Sequence, residues 1–215
     1  MSDINRRDAL KALGIVPVAG MLDWSTPSVA RATKMVERLH AATDTAAYAP
    51  KFYTAHEWKT VRMLADIIIP KDERSGSATD AKAPEFMDFM LAEKDASENS
   101  RIQARGGLAW LDTEMRARFS TDFIASTDAQ RHQVLDDIAF GKKVKPELRR
   151  GAAFFNSFRA SVASAFFSSA MGWQDLKYIG NVFNPGWNGC PPEATKKLGV
   201  SYEEFDASLA KRRKQ

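Results

Sequence analysis

Hydrophobic side chains in the middle of the chain recur at helical spacing. A first example lies between Thr54 and Pro70, with apolar side chains at positions 58, 61, 64, 65 and 68. Thr54 and Glu57 form a capping-box pattern, in which each side chain can bond to the backbone of the other residue at a helix start. Because the apolar positions fall on one face of a helix and proline stops it, we predict a helix in this segment.

The same reasoning predicts more helices and no strand with a period of two. They cover residues 84–94, 98–118, 127–140 and 146–171, with shorter ones at 35–40 and 203–211. Residues 146–171 are apolar nearly all round, so we expect that helix to be buried centrally or covered by a partner. Gly106 and Gly107 weaken helix 98–118, and we expect them to permit close packing. The predicted fold is all-α: a compact multi-helix domain.

The character of the sequence changes after Gly172. Residues 184–192 consist of turn-forming residues with aromatic anchors, which predicts an irregular, proline-rich C-terminal segment. Large aromatic side chains often supply the binding energy of interfaces. Two interpretations stay open, a partner interface or a segment folded back over its own helices. The candidate interface residues are Trp173, Tyr178, Trp187, Cys190, Pro191 and Pro192.

The N-terminus has the layout of a twin-arginine export signal. Arg6 and Arg7 are followed by Leu10 and Lys11 and then by a mildly apolar run. Residues 30–32, Ala-Arg-Ala, match the small-x-small pattern of a signal peptidase site. We therefore predict a leader at 1–32, a spacer at 33–50, a helical domain at 51–215 and a periplasmic location. The alternative is an amphipathic N-terminal helix with chance arginines.

Composition narrows the function classes. The chain has 215 residues and a formal net charge of +4 with interspersed signs, which argues against nucleic-acid binding. No uninterrupted run of about 18 apolar residues exists, so at most peripheral membrane association is expected. Cys190 is the only cysteine, which excludes an internal disulfide and a CxxC pair. Its open roles are an intersubunit disulfide, burial in an interface, or burial within its own domain.

Motifs that would carry chemistry are missing from the sequence. It contains no GxGxxG fingerprint, phosphate loop or GxSxG elbow. His56 and Glu57 begin a zincin-like pattern, but Thr60 stands where the second histidine would be. The three histidines are far apart in sequence, and the adjacent carboxylates at 136–137 point apart on a helix. We predict no catalytic, cofactor-binding or metal-binding residue in this chain.

Several segments together resemble the gluconate 2-dehydrogenase subunit 3 family. No single motif is specific, but their order and spacing are, and the similarity covers most of residues 50–200. The segments are Phe-Tyr-Thr-Ala-His-Glu at 52–57, Leu-Ala-Asp-Ile-Ile-Ile-Pro at 64–70, Ala-Pro-Glu-Phe-Met-Asp at 83–88, Gly-Trp-Gln-Asp-Leu-Lys-Tyr-Ile-Gly-Asn at 172–181 and Gly-Trp-Asn-Gly-Cys-Pro-Pro at 186–192.

This resemblance implies a non-catalytic small subunit of an FAD-dependent sugar dehydrogenase. In such complexes the large subunit is a GMC-type flavoprotein that holds the FAD, and a cytochrome c often takes the electrons. The chain would escort the flavoprotein across the membrane on its own signal and then remain as a structural subunit. Gluconate, glucose and glucosides all stay open as substrates. The alternatives are a periplasmic scaffold or binding module for another partner, and a stand-alone enzyme.

Overall fold

The computed structural model describes residues 24–41, 48–140, 144–178, 180, 186 and 189–212. Over these residues the chain is helical without strands, which confirms the predicted all-α fold. The helices are α1 (Thr26–Ala41), α2 (Ala55–Ile68), α3 (Ala83–Ala92), α4 (Glu98–Phe119), α5 (Asp128–Ala139), α6 (Arg149–Phe167), α7 (Ala170–Leu176), α8 (Pro192–Leu198) and α9 (Tyr202–Arg212). A short 3₁₀ helix, Pro146–Leu148, precedes α6. The chain divides into two units, Met1–Tyr178 and Ile179–Gln215.

Side-chain caps begin the helices where the sequence predicts them. At α2, the Thr54 backbone N–H donates to Glu57 Oε2 at 2.8 Å, and Thr54 Oγ1 accepts from the Glu57 N–H. The same reciprocal box forms between Thr127 and Gln130 at α5. Each box satisfies two backbone donors that a helix start would otherwise leave unpaired.

Helix α6 is the central helix of the first unit. It contacts α2, α3, α4, α5 and α7, as its nearly continuous apolar circumference predicts. The buried residues of α6 are Gly151, Ala152, Phe154, Phe155, Phe158, Val162, Ala163, Ala165 and Phe166. The core of this unit is therefore arranged around one helix.

Two glycines let α4 and α6 approach closely. Gly107 of α4 faces Phe154 of α6, and a Cβ atom at position 107 would lie 1.8 Å from Phe154 Cδ2. Gly151 of α6 faces Trp110 of α4, and a Cβ there would lie 2.1 Å from Trp110 Cη2. Each helix thus packs an aromatic ring against a glycine of the other. The expected close packing is confirmed at Gly107, whereas no atom lies within 4 Å of a Cβ at position 106.

A buried carboxylate holds the segment before α2 against α3. Asp88 Oδ1 accepts hydrogen bonds from the backbone N–H groups of Phe52 and Tyr53, at 3.0 and 3.1 Å. Its Oδ2 accepts from the Lys51 N–H at 2.7 Å and from the Tyr48 hydroxyl at 2.8 Å. Burial and this bond raise the pKa of Tyr48 above its ordinary value. One side chain thus fixes the path of residues 48–53.

Two stretches differ from the sequence predictions. Residues 146–171 do not form one helix, because α6 ends at Phe167 and Ser169 caps a separate helix, α7, by accepting from the Gly172 N–H at 3.1 Å. The predicted helix at 35–40 is part of the longer α1, Thr26–Ala41. Both the leader boundary at residue 32 and the first part of the predicted spacer therefore lie within a helix.

Glu85 is a buried carboxylate with one free oxygen. It is 2 % exposed in the first turn of α3; its Oε1 accepts from Arg62 Nη1 at 3.0 Å, and its Oε2 has no hydrogen-bond partner. Burial raises the pKa of Glu85 above its ordinary value. Burial therefore disfavours the charged form of this side chain relative to the unfolded chain.

We expect Glu85→Gln to stabilise the protein at neutral pH by about 1 kcal/mol, because it removes a charge that burial penalises. A raised folded-state pKa contributes stability at low pH that is lost as the pH rises through that pKa. The advantage of the variant should therefore grow from pH 4 to pH 7, measured as urea unfolding free energy. The exposed Glu147→Gln is the control and should change little. A variant less stable than the parent at pH 7 would contradict the expectation.

The second unit contains α8 and α9 in its described part. Pro192 occupies the first turn of α8, where its missing N–H costs nothing, and Gly199 ends that helix with a positive φ of 64°. Helix α8 has no buried residue. The helix predicted at 203–211 corresponds closely to α9, whereas the sequence patterns predict no helix at the position of α8.

Candidate partner interface

Helix α7 is short, and contacts at both of its ends fix it on the first unit. Gly172 permits the tight passage from α6, because a Cβ atom there would lie 2.2 Å from the Phe166 carbonyl oxygen. At the other end, Arg74 from the loop after α2 donates to the Asp175 carbonyl oxygen at 2.8 Å and pairs with its carboxylate at 3.2 Å. Lys177 then takes a left-handed conformation, φ 55°, that ends the helix.

Helix α7 and the residues directly after it present three large apolar side chains to solvent. Trp173 is 45 % exposed, Leu176 51 % and Tyr178 59 %. The rings of Trp173 and Tyr178 meet edge to face with centroids 6.1 Å apart, and the Tyr178 N–H donates to the Trp173 carbonyl oxygen at 2.9 Å. The structure therefore brings together two of the predicted interface residues. We call Trp173, Leu176 and Tyr178 the α7 patch.

An apolar groove adjoins Trp173 on the same unit. It has a volume of about 520 Å³ and runs between α1 and the α6–α7 turn. Val36 and Phe86 lie on one side and Met171 on the other, while His40 and Gln174 supply polar groups. A groove of this size beside exposed aromatic rings is the common form of a surface that receives a partner's side chains.

Cys190 lies in the second unit and is exposed with a free thiol. Its backbone N–H donates to the Tyr202 hydroxyl at 2.6 Å, while a hydrogen bond with the Cys190 side chain raises the pKa of Tyr202. Gly189 has a φ of 88°, and its Cβ position lies 2.9 Å from the Tyr202 ring, so glycine is required there twice over. Tyr202 therefore fixes the backbone that carries the thiol, while Pro191 caps α8 and Pro192 begins it.

The described residues of this second unit expose most of their large apolar side chains. Those that stand in solvent are Leu198, Val200, Tyr202 and Phe205. None of the described side chains of this unit is buried, and exposed apolar side chains of this kind mark candidate contact surfaces. These side chains form a second candidate contact region.

Several predicted residues fall outside the described part of the chain. Arg6, Arg7, Leu10 and Lys11 of the export signal precede it, and Trp187 lies in one of its gaps. These assignments stay predictions from the sequence.

A histidine and an aspartate form a contact between two helices of the first unit. His56 Nε2 lies 2.6 Å from Asp112 Oδ2, and Asp112 Oδ1 accepts from the Phe123 N–H at 3.0 Å. This joins α2, α4 and the turn after α4. Within the described ranges, no three His, Cys, Asp or Glu side chains are grouped so that they could hold a metal ion. Nor does any helix described there have the length and apolar character needed to cross a membrane.

Leu176 and the groove are the parts of this surface that sequence reasoning misses. Leu176 follows Trp173 by three residues, which would place both on one face of a helix, but this spacing fits burial as well as exposure. The groove depends on Val36 of α1, a region predicted as a spacer. The sequence would indicate the groove only if residues 26–41 were recognised as one long helix.

No curated protein and no solved structure matches the chain. The profile of the family described as gluconate 2-dehydrogenase subunit 3 matches residues 55–186, which run from the start of α2 past the α7 patch. The chain therefore belongs to the gluconate 2-dehydrogenase subunit 3 family, whose name describes one subunit of a multi-subunit dehydrogenase complex.

Proposed function

We propose that this chain is the non-catalytic small subunit of a periplasmic FAD-dependent sugar dehydrogenase. Its partner is a GMC-type flavoprotein subunit, which holds the FAD and oxidises glucose, gluconate or a glucoside. The small subunit acts as the structural partner and export escort of that flavoprotein, and a cytochrome c subunit accepts the electrons. Family membership supports this proposal, together with the resemblance of the motifs quoted above.

The observation that carries the docking role is the α7 patch. Three large apolar side chains stand in solvent on and directly after one short helix, which a cap, a glycine contact and an ion pair hold in place. Rigid, partly exposed aromatic side chains lose little entropy on binding, so they are effective anchors. The neighbouring groove offers space for side chains of the flavoprotein. The exposed Cys190 thiol is available for a disulfide to that partner in an oxidising compartment.

The export role rests on the arginine pair of the leader. Arg6 and Arg7 form an address that a translocase for folded proteins reads. A flavoprotein that has bound its FAD in the cytoplasm and docked onto this chain would cross with it. The chain thus supplies the signal, and the partner supplies the chemistry.

We expect export of the flavoprotein to depend on this chain. The genes of both are expressed together, and periplasmic FAD and dehydrogenase activity are measured for the parent, for Arg6→Lys with Arg7→Lys, and for the flavoprotein alone. Periplasmic activity should fall at least tenfold in the last two strains. Equal export of the flavoprotein by itself would refute the escort role, and a pull-down of this chain without a flavoprotein would favour a scaffold for another partner.

Docking is tested separately with the α7 patch. Trp173→Ala combined with Tyr178→Ala should lose most of the co-purifying flavoprotein, because hot-spot truncations cost about 2 kcal/mol or more each. The matched control is Ile102→Ala on α4, a large apolar residue that is at least as exposed, and it should leave co-purification unchanged. Equal behaviour of the two variants would place the interface elsewhere.

A further inference from the structure

Helix α1 is packed into the first unit from Ser28 to Val36. Ala32 is fully buried, and Ser28 and Val36 are buried beside it at a spacing of four residues, which forms one stripe along the helix. Helix α1 contacts α3. Before the helix, the Trp24 ring packs against Phe86 with centroids 5.5 Å apart. Residues 24–36 are thus part of the folded unit.

Polar contacts fix the start of α1 to the chain after α3. The hydroxyl groups of Ser25 and Ser28 donate to Asp95 Oδ2 at 3.1 and 2.8 Å. Arg31 Nε donates to Glu93 Oε2 at 2.8 Å. All three donors precede Thr33, so they lie on the leader side of the cleavage site that the small-x-small pattern indicates.

A cut after Ala32 would therefore divide a helix that is already packed. It would remove the Trp24 ring from Phe86 and leave Asp95 without both of its serine donors. A protease needs its substrate segment locally unfolded, and buried helical backbone with side-chain anchors opens rarely. A chain that is exported folded would arrive at the peptidase with this segment closed.

We propose that α1 is part of the mature protein and that any processing of the leader takes place before Trp24. The Ala30-Arg31-Ala32 pattern is then a coincidence of helix composition rather than a cleavage site. The processing part of this inference rests on the proposed export, whereas the structural part does not.

Two matched variants of the full chain test both parts. Ala30→Gln and Ala32→Gln each destroy the small-x-small pattern, and glutamine is nearly as good a helix former as alanine. Ala30 is exposed and Ala32 is fully buried. We expect Ala32→Gln to lower the melting temperature by about 5 °C or more, since it overpacks the α1–α3 contact, and Ala30→Gln to leave it unchanged within about 1 °C.

Processing is read by intact mass spectrometry of the chain recovered from the export compartment. The parent should retain Trp24 and everything after it, and Ala30→Gln should be processed as the parent is. A mature chain that begins at Thr33 would overturn the proposal, as would equal melting temperatures of the two variants. Should the chain not be exported at all, the escort role fails, while the melting temperatures still decide whether α1 belongs to the fold.

Discussion

Replacing Gly107 with alanine is expected to destabilise the protein by about 1–2 kcal/mol. The new Cβ atom would lie 1.8 Å from Phe154 Cδ2, so the ring or one of the two central helices must move. Overpacking of this kind costs about 1–3 kcal/mol, and the Phe154 ring has little freedom because it is buried and packs against Phe158. The better helix propensity of alanine, about 1 kcal/mol, offsets only part of this. Thermal and urea unfolding measure the change.

The neighbouring glycine supplies the control. No atom lies within 4 Å of a Cβ at position 106, so Gly106→Ala should stabilise the protein by up to about 1 kcal/mol. The two substitutions are chemically identical and adjacent, yet they should have opposite signs. Adding Phe154→Leu to Gly107→Ala should recover part of the loss, because contacting residues couple. Equal stability of the two glycine variants would contradict the close contact between α4 and α6.

The helices that follow from the sequence are those with a local signal at each end. Capping-box patterns at Thr54 and Thr127 predict the starts of α2 and α5, and both boxes are formed in the structure. The all-round apolar character of residues 146–171 predicts a helix that is either central or covered by a partner, and α6 is central. In these cases local preference and tertiary packing favour the same structure, so the sequence alone is sufficient.

The elements that sequence reasoning misses depend on contacts over long distances. Helix α1 has a weak apolar stripe of Ser28, Ala32 and Val36, and its small residues become informative only when α3 lies against them. The break between α6 and α7 depends on Ser169, one serine among several, and on the space that Gly172 leaves. The sequence does not indicate that Trp173 and Tyr178 are exposed, since the same residues in a buried helix would show the same pattern.

Asp88 is the clearest case of a decisive residue with no sequence signal. It lies in an apolar helix, where an isolated aspartate would suggest a solvated face, yet it is fully buried. Its four donors come from residues 35 to 40 positions earlier in the chain. Three of them are backbone N–H groups, which any residue could supply, so no pairing of residue types reveals the contact.

We expect Asp88→Asn to cost about 2–4 kcal/mol of unfolding free energy. Asparagine has the same shape but replaces one acceptor oxygen with an NH₂ group, so two of the four donors would face another donor. The Tyr48 hydroxyl can rotate and accept, whereas the Lys51 N–H cannot. A buried donor left unpaired costs about 1–3 kcal/mol, and the lost charge weakens the bonds that remain. Urea unfolding gives the difference.

Asp66 is the matched control for the loss of charge. It also accepts two hydrogen bonds, both from Thr79: the N–H donates to Oδ1 at 2.8 Å and the hydroxyl to Oδ2 at 2.7 Å. In Asp66→Asn the amide oxygen still accepts from the N–H, and the NH₂ group can donate to a hydroxyl that accepts equally well, so the cost should stay below about 1 kcal/mol. Equal losses in both variants would mean that charge alone matters at Asp88. A large loss at Asp88 only would show that the backbone of residues 51–53, and with it the approach to α2, depends on a four-fold acceptor.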